Sequence, residues 1–143
     1  MNILVINGPN LNLLGKRDKN IYGQTSYKDL IKMIKKYAKE KEIKVKCVQS
    51  NYEGKLIDYI QKSKNKYQGI IINAGAYTHY SIAIKDALNA INIPKIEVHI
   101  SDIYNREDYR KINYIKDECN KSIVGEGVKG YSLAIDELIK LVK

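Results

Sequence analysis

An α/β fold built on a parallel sheet is predicted by two features of this 143-residue sequence. Short aliphatic runs with the length and β-branched content of buried strands alternate with longer amphipathic stretches, the pattern of a sheet covered on both faces. In order, the runs Ile3 to Ile6, Ile43 to Val48, Gly69 to Ile72, Lys95 to Val98 and Ser122 to Val124 read as five strands. Between and after them, apolar residues recur at helical spacing. Leu30, Ile31, Ile34, Tyr37 and Ala38 mark one helix and Leu56, Ile57 and Ile60 a second. Ile82, Ala83, Leu88 and Ile91 mark a third, and Leu133, Ala134, Leu138, Ile139 and Val142 a fourth. Right-handed βαβ units joined in this way give a three-layer sandwich, and five such strands point to the flavodoxin-like order 2-1-3-4-5.

Residues 1–143 read as a single domain, long enough for a self-sufficient core. Phe and Trp are absent, so Ile, Val, Leu and Tyr must fill it. The two cysteines, Cys47 and Cys119, lie far apart with no histidine at ligand spacing, which argues against a metal site or a disulfide framework. No stretch approaches the roughly 20 apolar residues of a membrane span, and MNILVINGPN begins directly as a strand. These features predict a reduced, cytoplasmic protein without membrane contact. The net charge of +9 raises the possibility of a nucleic-acid partner. However, the lysines scattered from Lys32 to Lys46 are accompanied by neither arginine nor stacking aromatics, and they read as a solvated helix face and turn, so no nucleic-acid partner is expected.

Arginine and histidine are distributed differently. Of 25 basic Lys and Arg residues only Arg17, Arg106 and Arg110 are arginines, and His79 and His99 are the only histidines. All five fall in segments just after predicted strands 1, 3 and 4: Asn7 to Gly23, Asn73 to Tyr80 and His99 to Arg110. Ligands of an open parallel sheet bind beyond the carboxyl ends of its strands, so the rare side chains outline a site.

The first of these segments, NGPNLNLLGKRDKNIYG, carries Asn10 and Asn12, then Arg17 and Tyr22 between Gly15 and Gly23, and its length suggests a lid. A tyrosine, ordinarily titrating near 10, is a base at neutral pH only where cations favour the phenolate, a field that Arg17 and Arg106 can supply. In the second segment His79 is placed near a helix start capped by Thr78 or Ser81, with Asp86 seven residues further along the same helix, about 10 Å away at ~1.5 Å per residue. In the third, Glu97 and His99 alternate in phase, so the carboxylate can hold the imidazole, and the Ile100 and Ser101 amides form a plausible carboxylate nest. Arg106 and Arg110, four apart, would share one face if residues 105–111 were helical.

The segments NGPNLNLLGKRDKNIYG, QSNYEGKLID, INAGAYTHYSIAIKDAL, EVHISDIYNREDYR and GVKGYSLAI occur in the order found in type II 3-dehydroquinate dehydratases, which the sequence resembles over essentially its full length. Tyr52 and Asp102 depart from that pattern, where a small residue or His, and Asn, are usual. The resemblance implies dehydration of 3-dehydroquinate to 3-dehydroshikimate in the shikimate pathway, with no cofactor and no metal. It implies Tyr22 as tyrosinate base with Arg17 and Arg106 keeping it ionised, Asn10 holding a water against the enolate oxygen, and His99, oriented by Glu97, as general acid. Asn73, Gly75 and His79 would bind the substrate hydroxyl side, Ile100 and Ser101 its carboxylate, and Arg110 the far hydroxyls. Asp86 would come from a neighbouring subunit, in a homo-oligomer of trimers forming a dodecamer. Two other classes compete with this reading. A flavodoxin-like binding module fits the fold, but the first loop lacks a phosphate-cradling glycine pattern and strand 3 ends in Asn73 rather than a phosphoacceptor Asp. A basic nucleic-acid binder would show salt-dependent binding without turnover.

Overall fold

The computed structural model describes all residues, 1–143. Strands β1 (Asn2–Asn7), β2 (Lys44–Gln49), β3 (Gly69–Asn73), β4 (Lys95–His99) and β5 (Lys121–Val124) form one parallel sheet in the order β2-β1-β3-β4-β5. Five helices accompany it: α1 (Lys19–Tyr22), α2 (Tyr27–Glu40), α3 (Glu53–Ser63), α4 (Ile82–Asn89) and α5 (Gly130–Val142). The expected sheet order and layers are therefore present, with strand ends within a residue or two of those read from the aliphatic runs.

Alternation along β1 divides the core. Ile3 and Val5 turn to one face, where Leu30 and Ile34 of α2 and Ala134 and Leu138 of α5 cover them. Leu4 and Ile6 turn to the other, against Leu56 and Ile60 of α3 and Ile84 and Leu88 of α4. Each of these side chains is fully or nearly fully buried, which at roughly 1.5–3 kcal/mol per large aliphatic group makes the two layers the main stabilising term. At the edge, β2 exposes Lys44 and Lys46, charges that discourage pairing with another sheet.

Helix starts are set by hydroxyl caps. Ser26 accepts the Asp29 amide at 3.1 Å to begin α2, and Ser81 accepts the Ile84 amide at 3.0 Å to begin α4. Ser81, not Thr78, is thus the cap of α4, and His79 lies before it in a separate 3-10 turn, Gly75–His79. The expectation that His79 and Asp86 share one helix is corrected accordingly. A single helix over 105–111 is also absent. Two 3-10 turns, Ile103–Asn105 and Asp108–Lys111, are broken at Arg106, which is extended (φ −115°, ψ −154°). The break has a cause: the Asp102 carboxylate accepts the Tyr104 amide at 3.1 Å and the Asn105 side-chain amide at 2.6 Å, closing the first turn on itself.

The sheet topology brings the carboxyl ends of β1 and β3 side by side, with Asn7 paired to Asn73 in register. Immediately beyond, the two chains nearly touch. A Cβ at Gly8 would meet the Ala74 carbonyl oxygen at 2.5 Å, so only glycine allows the first loop to leave the sheet here. Gly75 is constrained twice, by φ +59° and by Pro9, whose Cδ and carbonyl oxygen a Cβ would meet at 3.1 Å. No helix is long and apolar enough to cross a membrane.

Candidate active site

The first loop is anchored from below and shaped from within. Leu11 and Leu14 are buried in the α2/α5 layer, Asn10 adopts a left-handed conformation (φ 68°) with its amide bonded to Asn51 Oδ1 at 3.0 Å, and Asp18 caps α1 by accepting the Asn20 amide at 3.0 Å. This single-turn helix delivers Tyr22 over the end of the sheet. Its hydroxyl receives Arg17 Nη2 at 2.9 Å and Arg106 Nη1 at 2.9 Å. The Arg17 guanidinium also lies 3.8 Å from the centre of the tyrosine ring. Arg106 Nη1 donates further to Ser101 Oγ at 3.1 Å, which fixes the guanidinium between the phenol and the strand end. With two charged donors on one phenolic oxygen, a proton on that oxygen must point away from both.

The other wall is built by β4. Glu97 is fully buried and His99 almost so. The imidazole Nε2 sits 3.0 Å from Glu97 Oε2, a short but bent contact in which the N–H does not point straight at the oxygen. Burial acts to raise the Glu97 pKa, yet the His99 contact and the donors Ser122 and Asn113 outweigh it, and the net displacement is below the ordinary carboxylate value. Ser122 Oγ donates at 2.5 Å and Asn113 Nδ2 lies 3.0 Å from each carboxylate oxygen. His79 stands beside His99, with ring centroids 6.4 Å apart and planes inclined by 24°. Its Nδ1 lies 2.7 Å from the Ile112 carbonyl oxygen, which only an Nδ1–H can satisfy. Burial holds His79 below its ordinary pKa, so the ring is neutral and presents an Nε2 lone pair.

The floor is a buried amide–phenol chain. Tyr131 on α5 donates to Asn7 Oδ1 at 2.6 Å and accepts from Asn73 Nδ2 at 3.1 Å, while Asn73 Oδ1 accepts the Gly75 amide at 3.1 Å. Asn7 Nδ2 reaches Tyr27 OH at the limit of 3.5 Å. These bonds settle which end of the Asn73 amide faces which way. Arg110, held by Glu107 at 2.8 Å, completes the rim.

Together these groups line a cleft beyond the carboxyl ends of the central strands. Asn10, Arg17, Tyr22, Asn73, Gly75, His79, His99, Ile100, Ser101, Arg106 and Arg110 all line it, so the two arginines after β4 converge despite the broken helix. Glu97 lies behind His99 rather than in the lining. Asp86 does not reach the cleft; it is exposed on α4. Tyr52 is 77% exposed and also outside the cleft, and Asp102 serves as the turn cap described above. No three His, Cys, Asp or Glu side chains gather at one point. Sequence reasoning missed Tyr131, Asn7, Asn113, Ser122 and Gly8. Only Tyr131 carried a signal, as a phenol on the apolar face of α5, which requires a buried partner.

An open parallel sheet whose switch-point cleft pairs a guanidinium-bound tyrosine with a carboxylate-backed histidine defines a class of enzyme-like α/β sites. Comparison with known proteins gives the family. The sequence profile described as Dehydroquinase class II matches residues 1–139, and the chain belongs to that family. It is 52% identical over 139 residues to the 3-dehydroquinate dehydratase of Prochlorococcus marinus, covering 97% of this chain and 95% of that protein. It is 53% identical over 143 residues to that of Fusobacterium nucleatum, covering 98% and 97%. The crystal structure of type II dehydroquinase from Butyrivibrio crossotus superposes with a TM-score of 0.96 at 56% identity, covering 97% of each chain.

Proposed function

We propose that this chain dehydrates 3-dehydroquinate to 3-dehydroshikimate by anti elimination through an enolate, without a cofactor. The single observation that carries the mechanism is the Tyr22 hydroxyl held by two guanidinium groups, at 2.9 Å each, across a cleft from two histidines. Tyr22 as phenolate removes the proton α to the ketone and becomes the neutral phenol as the charge passes to the enolate; Arg17 and Arg106 stabilise the phenolate before transfer. Asn10, at the cleft edge, holds a water against the developing enolate oxygen. His99, with Nε2 turned to Glu97, faces the cleft with Nδ1. To give a proton to the departing hydroxyl, Nδ1 must carry that proton while Nε2–H faces the Glu97 carboxylate. His79, neutral with a free Nε2 lone pair, accepts a substrate hydroxyl, as Asn73 also engages one beside Gly75. The Ile100 and Ser101 amides take the carboxylate, with Arg110 at the far hydroxyls.

Asp86 completes the site of a neighbouring subunit in this reading, within trimers assembled as a dodecamer. Support comes from its exposure on α4, one turn from Ile82, which is 47% exposed. With that reaction the protein would act in the shikimate pathway of aromatic amino-acid biosynthesis, in the cytoplasm. Adding 3-dehydroquinate to purified protein should raise ultraviolet absorbance as the conjugated product forms. No rise at neutral or mildly alkaline pH overturns the proposal.

A further inference from the structure

The buried Glu97 carboxylate is enclosed by neutral donors. Oε1 receives the Ser122 hydroxyl at 2.5 Å and Asn113 Nδ2 at 3.0 Å, and Oε2 receives the same Asn113 nitrogen at 3.0 Å. Neither lysine nor arginine bonds it, so His99 is the one group among its contacts able to carry positive charge. The His99 contact is bent, and by itself it would leave the carboxylate free to rotate about its last torsion. The other two donors remove that freedom. Ser122 sits directly across the β4–β5 ladder from Glu97, in register. Asn113 is fixed in turn, because its Oδ1 accepts the Ile115 and Lys116 amides at 3.0 and 3.1 Å; turning the amide over would set oxygen against carboxylate and NH2 against two N–H groups. The residue before it, Ile112, supplies the carbonyl that orients His79. A two-residue stretch thus reaches both imidazoles, one directly and one through Glu97.

Resting on the dehydratase reading, we propose that Asn113 and Ser122 are positioning residues for the reaction. They hold Glu97 as a rigid carboxylate whose second oxygen aims the His99 ring, so that the proton donor faces the leaving hydroxyl. Neither touches substrate, and neither lines the cleft. Their contribution falls on the chemical step rather than on binding, since an acid displaced by a fraction of an ångström still lets the ligand in.

The test uses steady-state kinetics with 3-dehydroquinate on the full chain. Ser122 has no other side-chain bond in the structure, so Ser122→Ala removes one donor and nothing else, while Ser122→Thr retains the hydroxyl in a strand position suited to it. Ser122→Ala is expected to lower kcat about tenfold with KM changed less than about twofold, and Ser122→Thr to restore most of the loss. Asn113→Ala is expected to lower kcat further, by up to about a hundredfold, with thermal melting recorded to confirm folding. If Asn113→Ala does not fold, the Ser122 pair still decides. Wild-type kcat in Ser122→Ala, or equal loss in Ser122→Thr and Ser122→Ala, overturns the positioning role while leaving the dehydratase reading intact. An inactive wild-type protein overturns the reading itself.

Discussion

Replacing Tyr131 with Phe removes one oxygen from the most enclosed polar group of the molecule and leaves the ring, which is fully buried, in place. No cavity of consequence opens, so the change isolates hydrogen bonding. Two partners are stranded: Asn7 Oδ1, which accepted at 2.6 Å, and one N–H of Asn73, which donated at 3.1 Å. Each unsatisfied buried group costs about 1–3 kcal/mol. Asn7 retains only the long contact to Tyr27 and Asn73 only the Gly75 amide, so little relief is at hand. The expected loss is roughly 2–6 kcal/mol, a fall in Tm of about 5–20 °C for a domain of this size. Differential scanning calorimetry at matched protein concentration measures it. The same change frees the Asn73 amide to turn, so KM should rise at least as much as kcat falls. A Tm within about 2 °C of wild type would refute the argument that this chain of bonds is enclosed and satisfied only by the phenol.

Tyr22→Phe should abolish turnover, a loss of at least about a thousandfold, while a substrate analogue still binds by calorimetry; near wild-type turnover would assign the base elsewhere. Mixing Asp86→Ala chains with Tyr22→Phe chains should restore part of the activity that both homomers lack, because some interfaces then pair an intact Asp86 with an intact Tyr22. Verified mixed oligomers without any recovery would place the action of Asp86 within its own chain or in packing alone. A pH effect follows from the thiols: burial pushes Cys47 up to about 11 and Cys119 up to about 12, from an ordinary 9.0. Between 9.0 and those values the folded chain holds protons that the unfolded chain has lost, so stability falls as pH rises through that window. Urea midpoints at about pH 8 and about pH 10 should differ more in wild type than in Cys119→Ala, and an equal drop in both would contradict it.

The sheet was legible because strands covered on both faces leave uninterrupted runs such as Gly69 to Ile72, and alternation with helices then leaves few topologies. The cleft was legible for a chemical reason: a chain that uses lysine for solubility keeps arginine for sites that need a planar, permanent charge, and its three arginines all line the cleft. Local geometry was harder to read. Spacing would put Arg106 and Arg110 on one face if residues 105–111 were helical, but the Asp102 side chain ends the turn first, a competition between side chain and backbone that periodicity does not register. Spacing likewise put His79 on α4, where Ser81 starts the helix two residues later. Apart from His99, the partners of Glu97 left no trace, since Asn113 and Ser122 lie 16 and 25 residues away and meet it only through the fold.

The gathering of every arginine and both histidines around one cleft also makes the molecule self-reporting. Isotope placed only in arginine and histidine would illuminate three guanidinium groups and two imidazoles, with no background from the rest of the chain. Titration with a ligand would then move every labelled side-chain signal or none of them. An arginine-directed reagent would, for the same reason, count open sites by its stoichiometry.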